Sequence, residues 1–210
     1  MPNFRNSIKE AGRKLLKLQA PLRRRKLNNT DFTIISNNCW GGICYEYFGL
    51  EKLSPTVGMY FFAEDYVRFV SDFKRYNEMP IEIITADESK HKDSLYKSGH
   101  ECIPIGRLDD VEIVFLHYKD SAVAKAKWER RVKRINWDNL IFKFSYMNGC
   151  TDKMVHQFEK AVNGFKSVVL ATKKFPEYDN VYIVQGQGDQ VTNDTKDWNK
   201  YFDVVGFLNR

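Results

Sequence analysis

The sequence predicts an α/β fold, a mostly parallel, doubly wound sheet with helices on both faces, preceded by an N-terminal amphipathic helix. Three observations predict it. Short β-branched or apolar runs alternate with helix-like segments from residue 31 onward. Several of these runs, FTII, IEII, IVFL and SVVLA, are apolar on both faces, as strands covered by helices on either side are. Finally, 210 residues of which 43% are hydrophobic, with 15 Phe, 11 Tyr and 4 Trp, supply the apolar volume for one core. The expected organisation is a basic tail over residues 1–30 and a single α/β domain over residues 31–210.

The elements follow in order. Residues 1–26 carry nine basic side chains (Arg5, Lys9, Arg13, Lys14, Lys17, Arg23, Arg24, Arg25 and Lys26) against Glu10 alone, a net +8, which leaves the other 184 residues near −2. Phe4, Ile8, Ala11, Leu15, Leu18 and Leu22 recur at alternating steps of four and three, which aligns them on one helical face with Lys and Arg opposite. Such a helix suits an anionic membrane surface, and equally a contact with its own domain or a partner subunit. Strands are expected at Phe32–Ser36, Ile81–Thr85, Val111–His117, Leu140–Phe144, Val168–Ala171 and Val181–Val184. Helices are expected at Asp65–Tyr76, Ser121–Arg134, Asp152–Asn163 closed by Gly164, and Thr195–Phe202.

Composition excludes several classes. The net charge of +6 belongs to the tail, and zinc-finger, RNA-binding-sheet and Lys-rich repeat signatures are absent, so no nucleic-acid partner is expected. No uncharged apolar run nears the roughly 20 residues that span a bilayer, and Met1–Ala20 carries charges where a signal peptide is apolar. Cys39, Cys44, Cys102 and Cys150 form no disulfide framework pattern and none pairs with His at zinc-ligand spacing. The expectation is therefore a cytoplasmic protein without a metal, peripheral at the inner membrane face if its tail meets lipid.

In α/β sheets a ligand sits beyond the carboxyl ends of the strands, so the residues following each strand carry the chemistry. SNNCWGG, Ser36–Gly42, follows the first strand. Asn37 and Asn38 offer paired donors and acceptors, Cys39 a nucleophile, Trp40 a stacking platform, and Gly41 and Gly42 backbone N–H groups that a ligand can approach. G-x-G-x-x-G and G-x-x-x-x-G-K-[ST] are absent, which disfavours NAD and P-loop chemistry. In GRLDDVEIVFLHYKD, Asp109 and Asp110 precede a strand, whereas His117 and Tyr118 leave its carboxyl end, where a histidine can serve as general base or hold phosphate. His91, His100 and His156 stand in polar or helical contexts that single none of them out. KAKWERRVKR, Lys125–Arg134, is locally +5 with an apolar stripe of Ala124, Trp128, Val132 and Ile135, so Arg130, Arg131 and Arg134 could clamp a diphosphate. Between these motifs, Leu50–Tyr66 reads as a loop folding over a pocket, with Ser54 and Thr56 flanking Pro55 and with Asp65 as helix cap or catalytic carboxylate.

SNNCWGG, SPTVG, the Asp65–Tyr66 pair, PIGRLDDVEIVFLHY, KWERRVKRIN and Asn139 together resemble the pattern of a bacterial family known mainly as a domain of unknown function. Its members are commonly labelled exopolysaccharide or capsule biosynthesis proteins and sometimes labelled glycosyltransferases. The resemblance spans roughly Phe32–Phe144 and leaves out residues 1–30. It implies work in cell-surface polysaccharide synthesis and carries over no catalytic residue.

Two reactions fit that setting. In sugar transfer, a nucleotide-sugar donor lays its diphosphate on Arg130, Arg131 and Arg134 and its base or sugar on Trp40, while a carboxylate or His117 deprotonates the acceptor hydroxyl. In acyl transfer, Cys39 is the nucleophile, His117 the base, and the Gly41 and Gly42 N–H groups the oxyanion hole. A non-enzymatic scaffold or regulator of polysaccharide assembly is the third reading. The expected partners are a nucleotide sugar or sugar phosphate and, through residues 1–26, an anionic membrane surface, with a homo-oligomer open.

Overall fold

The computed structural model describes residues 17–118, 120–184 and 188–210. Its centre is a four-stranded, all-parallel sheet in the order β1 (Thr33–Ser36), β5 (Leu140–Ser145), β6 (Lys166–Ala171) and β7 (Val181–Ile183). β1 and β5 are buried along their whole length, which is what runs apolar on both faces require. The strand order grows one way from β1, so the described sheet lacks the reversal of a doubly wound fold.

Alternation along β5 sends Phe142 and Phe144 to one face and Lys143 to the other. On the first face lie α3 (Ala63–Ser71), α4 (Phe73–Glu78) and α7 (Asp152–Ala161), where Tyr66 stacks with Phe144, Phe158 meets Phe144 at a tilt and Phe73 meets Phe142 edge-on. The predicted helix Asp65–Tyr76 is thus two helices, broken at Asp72. The Tyr66 hydroxyl hydrogen is shared between the carbonyls of Ile35 (2.8 Å) and Lys143 (2.9 Å), tying α3 to both central strands. Tyr66→Phe leaves these buried acceptors short of a partner and is expected to cost about 1–3 kcal/mol, read by urea denaturation.

On the opposite face α2 (Trp40–Phe48) packs with the carboxyl-terminal segment that ends in α8 (Val204–Asn209). The Tyr45 hydroxyl donates to Phe32 O (2.9 Å) and accepts from Ile34 N–H (2.8 Å), fixing α2 against β1. Gly49 ends α2 in a left-handed conformation (φ 65°), and a Cβ there would stand 2.8 Å from that of Ala20, so this position needs glycine twice over. The expected helix Thr195–Phe202 is instead a run of turns and bends. Its Trp198 and Phe202, four residues apart, both pack on Trp40, which explains the helical appearance of the pattern.

The connection from β1 to β5 carries a second sheet. β2 (Glu82–Ile84), β3 (Ile105–Leu108) and β4 (Val111–Val114) are antiparallel, with Asp109 and Asp110 forming the two-residue turn between β3 and β4. The runs at Ile81–Thr85 and Val111–His117 were expected in the parallel sheet and belong here. Their two apolar faces are both covered: Leu108, Val111 and Ile113 join the main core, while Ile84, Ile105 and Val114 meet Leu95 of α5 (Lys92–Lys97) in a smaller one. α6 (Ser121–Val132), capped by Asp120, sets Trp128 against Phe69 of α3.

Candidate functional site

A cleft of about 820 Å³ lies where the parallel sheet's carboxyl edge meets the antiparallel unit. One wall is the β1–α2 junction, with Asn38, Cys39, Gly42, Ile43 and Glu46, continued by Met147 and Asn148 after β5 and by the 192–195 segment. The other wall is Tyr60, Phe62, Ser94, Ser98, His100, Leu116 and His117, with Lys52, Val57 and Gly58 beside it. The position beyond the strand ends is where an open α/β sheet binds ligands.

At the base of the first wall is a buried polar cluster. Lys143 is 0% exposed and Asp194 1% exposed, and they form an ion pair. Ser145 Oγ accepts from Lys143 Nζ and donates to Asp194, while Asn38 accepts from Lys143 Nζ (3.0 Å) and donates to Asp194 Oδ1 (2.8 Å). Burial alone would raise the Asp194 carboxyl, but the Lys143 ammonium and the hydrogen bonds from Lys143, Ser145 and Asn38 outweigh it and hold it below the ordinary carboxylate value. Burial draws the Lys143 ammonium below its usual value, with Asp194 opposing. Asp194 borders the cleft from beneath, with Oδ1 taken by Asn38 and Oδ2 by Lys143 and Ser145, so its charge reaches the cleft as a field and not as a free acceptor.

Cys39 is the N-cap position of α2 and lines the cleft, as does His117. Burial raises the Cys39 thiol above its usual value, partly offset by Lys143 and reinforced by Asp194. Among the described residues no hydrogen bond joins Cys39 to His117, so the base–nucleophile contact expected for acyl transfer is not formed. His117 also leaves an antiparallel strand, not a parallel one, and reaches the cleft because its backbone N–H is anchored to Gly58 O (3.1 Å). His100, which the sequence did not single out, accompanies it there with its Nδ1 3.0 Å from the Tyr60 hydroxyl. Burial pushes the Tyr60 phenol up to about 12.

The remaining expected site residues divide sharply. Asn38 and Gly42 line the cleft. Asn37 is a stitch between strands, donating to Ser145 O and accepting from Ser145 N–H, both at 3.0 Å. Trp40 is 0% exposed, donates from its indole to Trp198 O (3.0 Å) and stacks on Phe202, so it is core and not a ligand platform. Gly41 lets α2 approach β1, since a Cβ would meet Ile34 Cγ2 at 3.0 Å. Ser54 and Thr56 are buried and bonded to each other (3.0 Å), with Thr56 Oγ1 accepting from Ser36 N–H (3.2 Å), so they tie their loop to β1. Asp65 is fully buried between Lys90 and His91 (2.5 Å to each) outside the cleft lining, which makes it an anchor between α3 and the antiparallel unit.

The basic helix does not face the cleft. Arg131 donates to Val57 O (2.7 Å) and to the Tyr118 hydroxyl, which itself donates to Val57 O (2.7 Å). Arg134 pairs with Glu51 (2.5 Å), and Arg130 is exposed outside the cleft lining. The clamp expected on a diphosphate is therefore a brace on the 50–58 loop. Asp109 and Asp110 are likewise engaged, with Arg75 and with Arg68 and Tyr76.

Residues 12–209 match the family described as "Domain of unknown function (DUF1919)". The match extends beyond the motif region on both sides, into the basic tail and to the end of α8. A protein of Haemophilus influenzae, described as "Uncharacterized protein", is 29% identical over 192 residues, covering 88% of this chain and 86% of that protein. None of the described helices is long and apolar enough to cross a membrane.

Proposed function

We propose that this chain, which belongs to the DUF1919 family, is a transferase of surface-polysaccharide synthesis that seats a nucleotide sugar or sugar phosphate in the cleft between its two sheets. The observation that carries the reading is the cleft floor. A buried Lys143–Asp194 pair costs several kcal/mol of desolvation per ion, and such expense concentrates where a protein needs a fixed charge. The walls add amide, hydroxyl and imidazole groups suited to the many hydroxyls of a sugar, and Lys52, His100 and His117 suited to phosphate.

The chemistry follows from the charges. Breaking the bond between the anomeric carbon and the phosphate oxygen builds positive charge on the sugar, which the Asp194 carboxylate stabilises, and negative charge on the phosphate, which Lys52 offsets. The acceptor oxygen bonds the anomeric carbon as its proton passes to His117. Acyl transfer through Cys39 is the second reading, favoured by one observation, the location of Cys39 on the cleft wall beside Asn38.

Thermal denaturation with nucleotide sugars, nucleoside diphosphates and acyl-coenzyme A separates the two. A ligand at 100 times its dissociation constant stabilises by about 2.7 kcal/mol. Sugar transfer predicts a shift with nucleotide sugars that survives Cys39→Ala and is lost in Asp194→Asn. A shift confined to acyl-coenzyme A and abolished by Cys39→Ala moves the assignment to acyl transfer, and no shift with any compound removes both.

A further inference from the structure

We infer that the N-terminal helix is an anionic-membrane anchor that holds its apolar face away from the protein body. The argument is independent of the cleft. Residues 17–24 form helix α1, and its contacts with the body run through its polar side. Arg23 donates to Tyr47 O (3.2 Å) with its guanidinium 4.2 Å over the Tyr47 ring, and Arg24 donates to Gly49 O (3.2 Å). These are carbonyls at the C-terminal end of α2, where cations are favoured. Ala20, buried against Gly49, fills the contact between them.

This docking fixes the rotation of α1 and inverts the usual amphipathic arrangement. Leu18 and Leu22, one helical turn apart, are 77% and 63% exposed. A helix packed on its own domain turns such a stripe inward; here Ala20, Arg23 and Arg24 meet the body and the leucines face out. In the sequence the same stripe runs back through Leu15, Ala11, Ile8 and Phe4, positions that lie outside the described residues, as do Arg5, Lys9, Arg13 and Lys14.

Charge names the occupant. Lys17, Arg25 and Lys26 are exposed beside the leucines, and residues 1–26 hold a net +8 on a chain whose remainder is near −2. A narrow apolar stripe edged with cations matches shallow insertion into an anionic lipid interface, with the basic side chains reaching the headgroups.

Flotation of the full chain with phosphatidylcholine vesicles, with and without phosphatidylglycerol, tests the assignment. Binding is expected only with the anionic lipid and is expected to weaken at high salt. Leu18→Ser with Leu22→Ser should lower it by about tenfold or more, and Lys17, Arg25 and Lys26 changed to Gln by about fivefold per cation removed. Both variants should melt with the wild type, because none of these side chains is buried. Undiminished flotation of the Leu18→Ser/Leu22→Ser protein overturns the proposal. So does a wild-type dimer, seen by light scattering without vesicle binding, that the same variant converts to a monomer, since the stripe then belongs to a second copy.

Discussion

Asp194→Ala is expected to destabilise the protein by about 3–5 kcal/mol, the cost of removing one partner from a buried ion pair. At roughly 2–4 °C per kcal/mol for a chain of this size, the melting temperature should fall by about 6–20 °C. The reason is the Lys143 ammonium, which is fully buried on the central strand β5 and would keep only Asn38 Oδ1 and Ser145 Oγ as acceptors. Replacing both charges with apolar groups of similar size, Lys143→Met with Asp194→Leu, should recover most of the loss and still bind no ligand. That pair of results separates the cluster's structural effect from its role in the cleft. pH offers a second check. Because the Asp194 carboxyl is held below its ordinary value, its stabilisation is fully present above about pH 4–5 and is lost as pH falls through the depressed native value. The wild type should therefore show a steeper acid limb than the doubly apolar variant in urea titrations across pH. Equal limbs would mean that Asp194 does not carry this charge in the native state.

The sequence announced one half of this cluster and hid the other. Lys143 is the lone charge in LIFKFS, a run otherwise fit for a strand buried on both sides, and such a lysine demands a carboxylate. Nothing in the sequence identifies that carboxylate, because Asp194 lies 51 positions on in an irregular segment that only tertiary packing brings back to β5. β1 and β5–β7 were legible from β-branched runs. The same rule misassigned Ile81–Thr85 and Val111–His117, because two apolar faces report that both sides of a strand are covered and say nothing of strand direction. β3 is hidden in the sequence because IGRL carries Gly and Arg, and because the Asp109–Asp110 pair between it and β4 lacks the glycine that marks a two-residue hairpin. Arginines in KWERRVKR suggest phosphate by composition, whereas Arg131 meets a backbone carbonyl and a phenol and Arg134 meets Glu51, none of which spacing predicts.

Trp40 gives the second large effect and the clearest contrast with a ligand-stacking role. Its ring is fully enclosed: Trp198 meets it edge-on at 5.5 Å, Phe202 stacks at 6.1 Å, and the Lys143 ammonium lies 6.0 Å from its centroid. Trp40→Ala should cost about 3–5 kcal/mol through lost burial and the cavity left between α2 and the 198–202 turns. Trp40→Phe keeps most of the apolar contact but leaves Trp198 O without the indole donor at 3.0 Å, and should cost about 1–3 kcal/mol. A stacking platform behaves in the opposite way, with Trp40→Phe binding ligand poorly at unchanged stability. Urea denaturation combined with a nucleotide-sugar titration decides between them. The enclosed ring predicts that Trp40→Phe shifts the denaturation midpoint while the ligand affinity of the folded protein stays within about twofold, because the side chain supports the cleft wall from behind and never meets its contents.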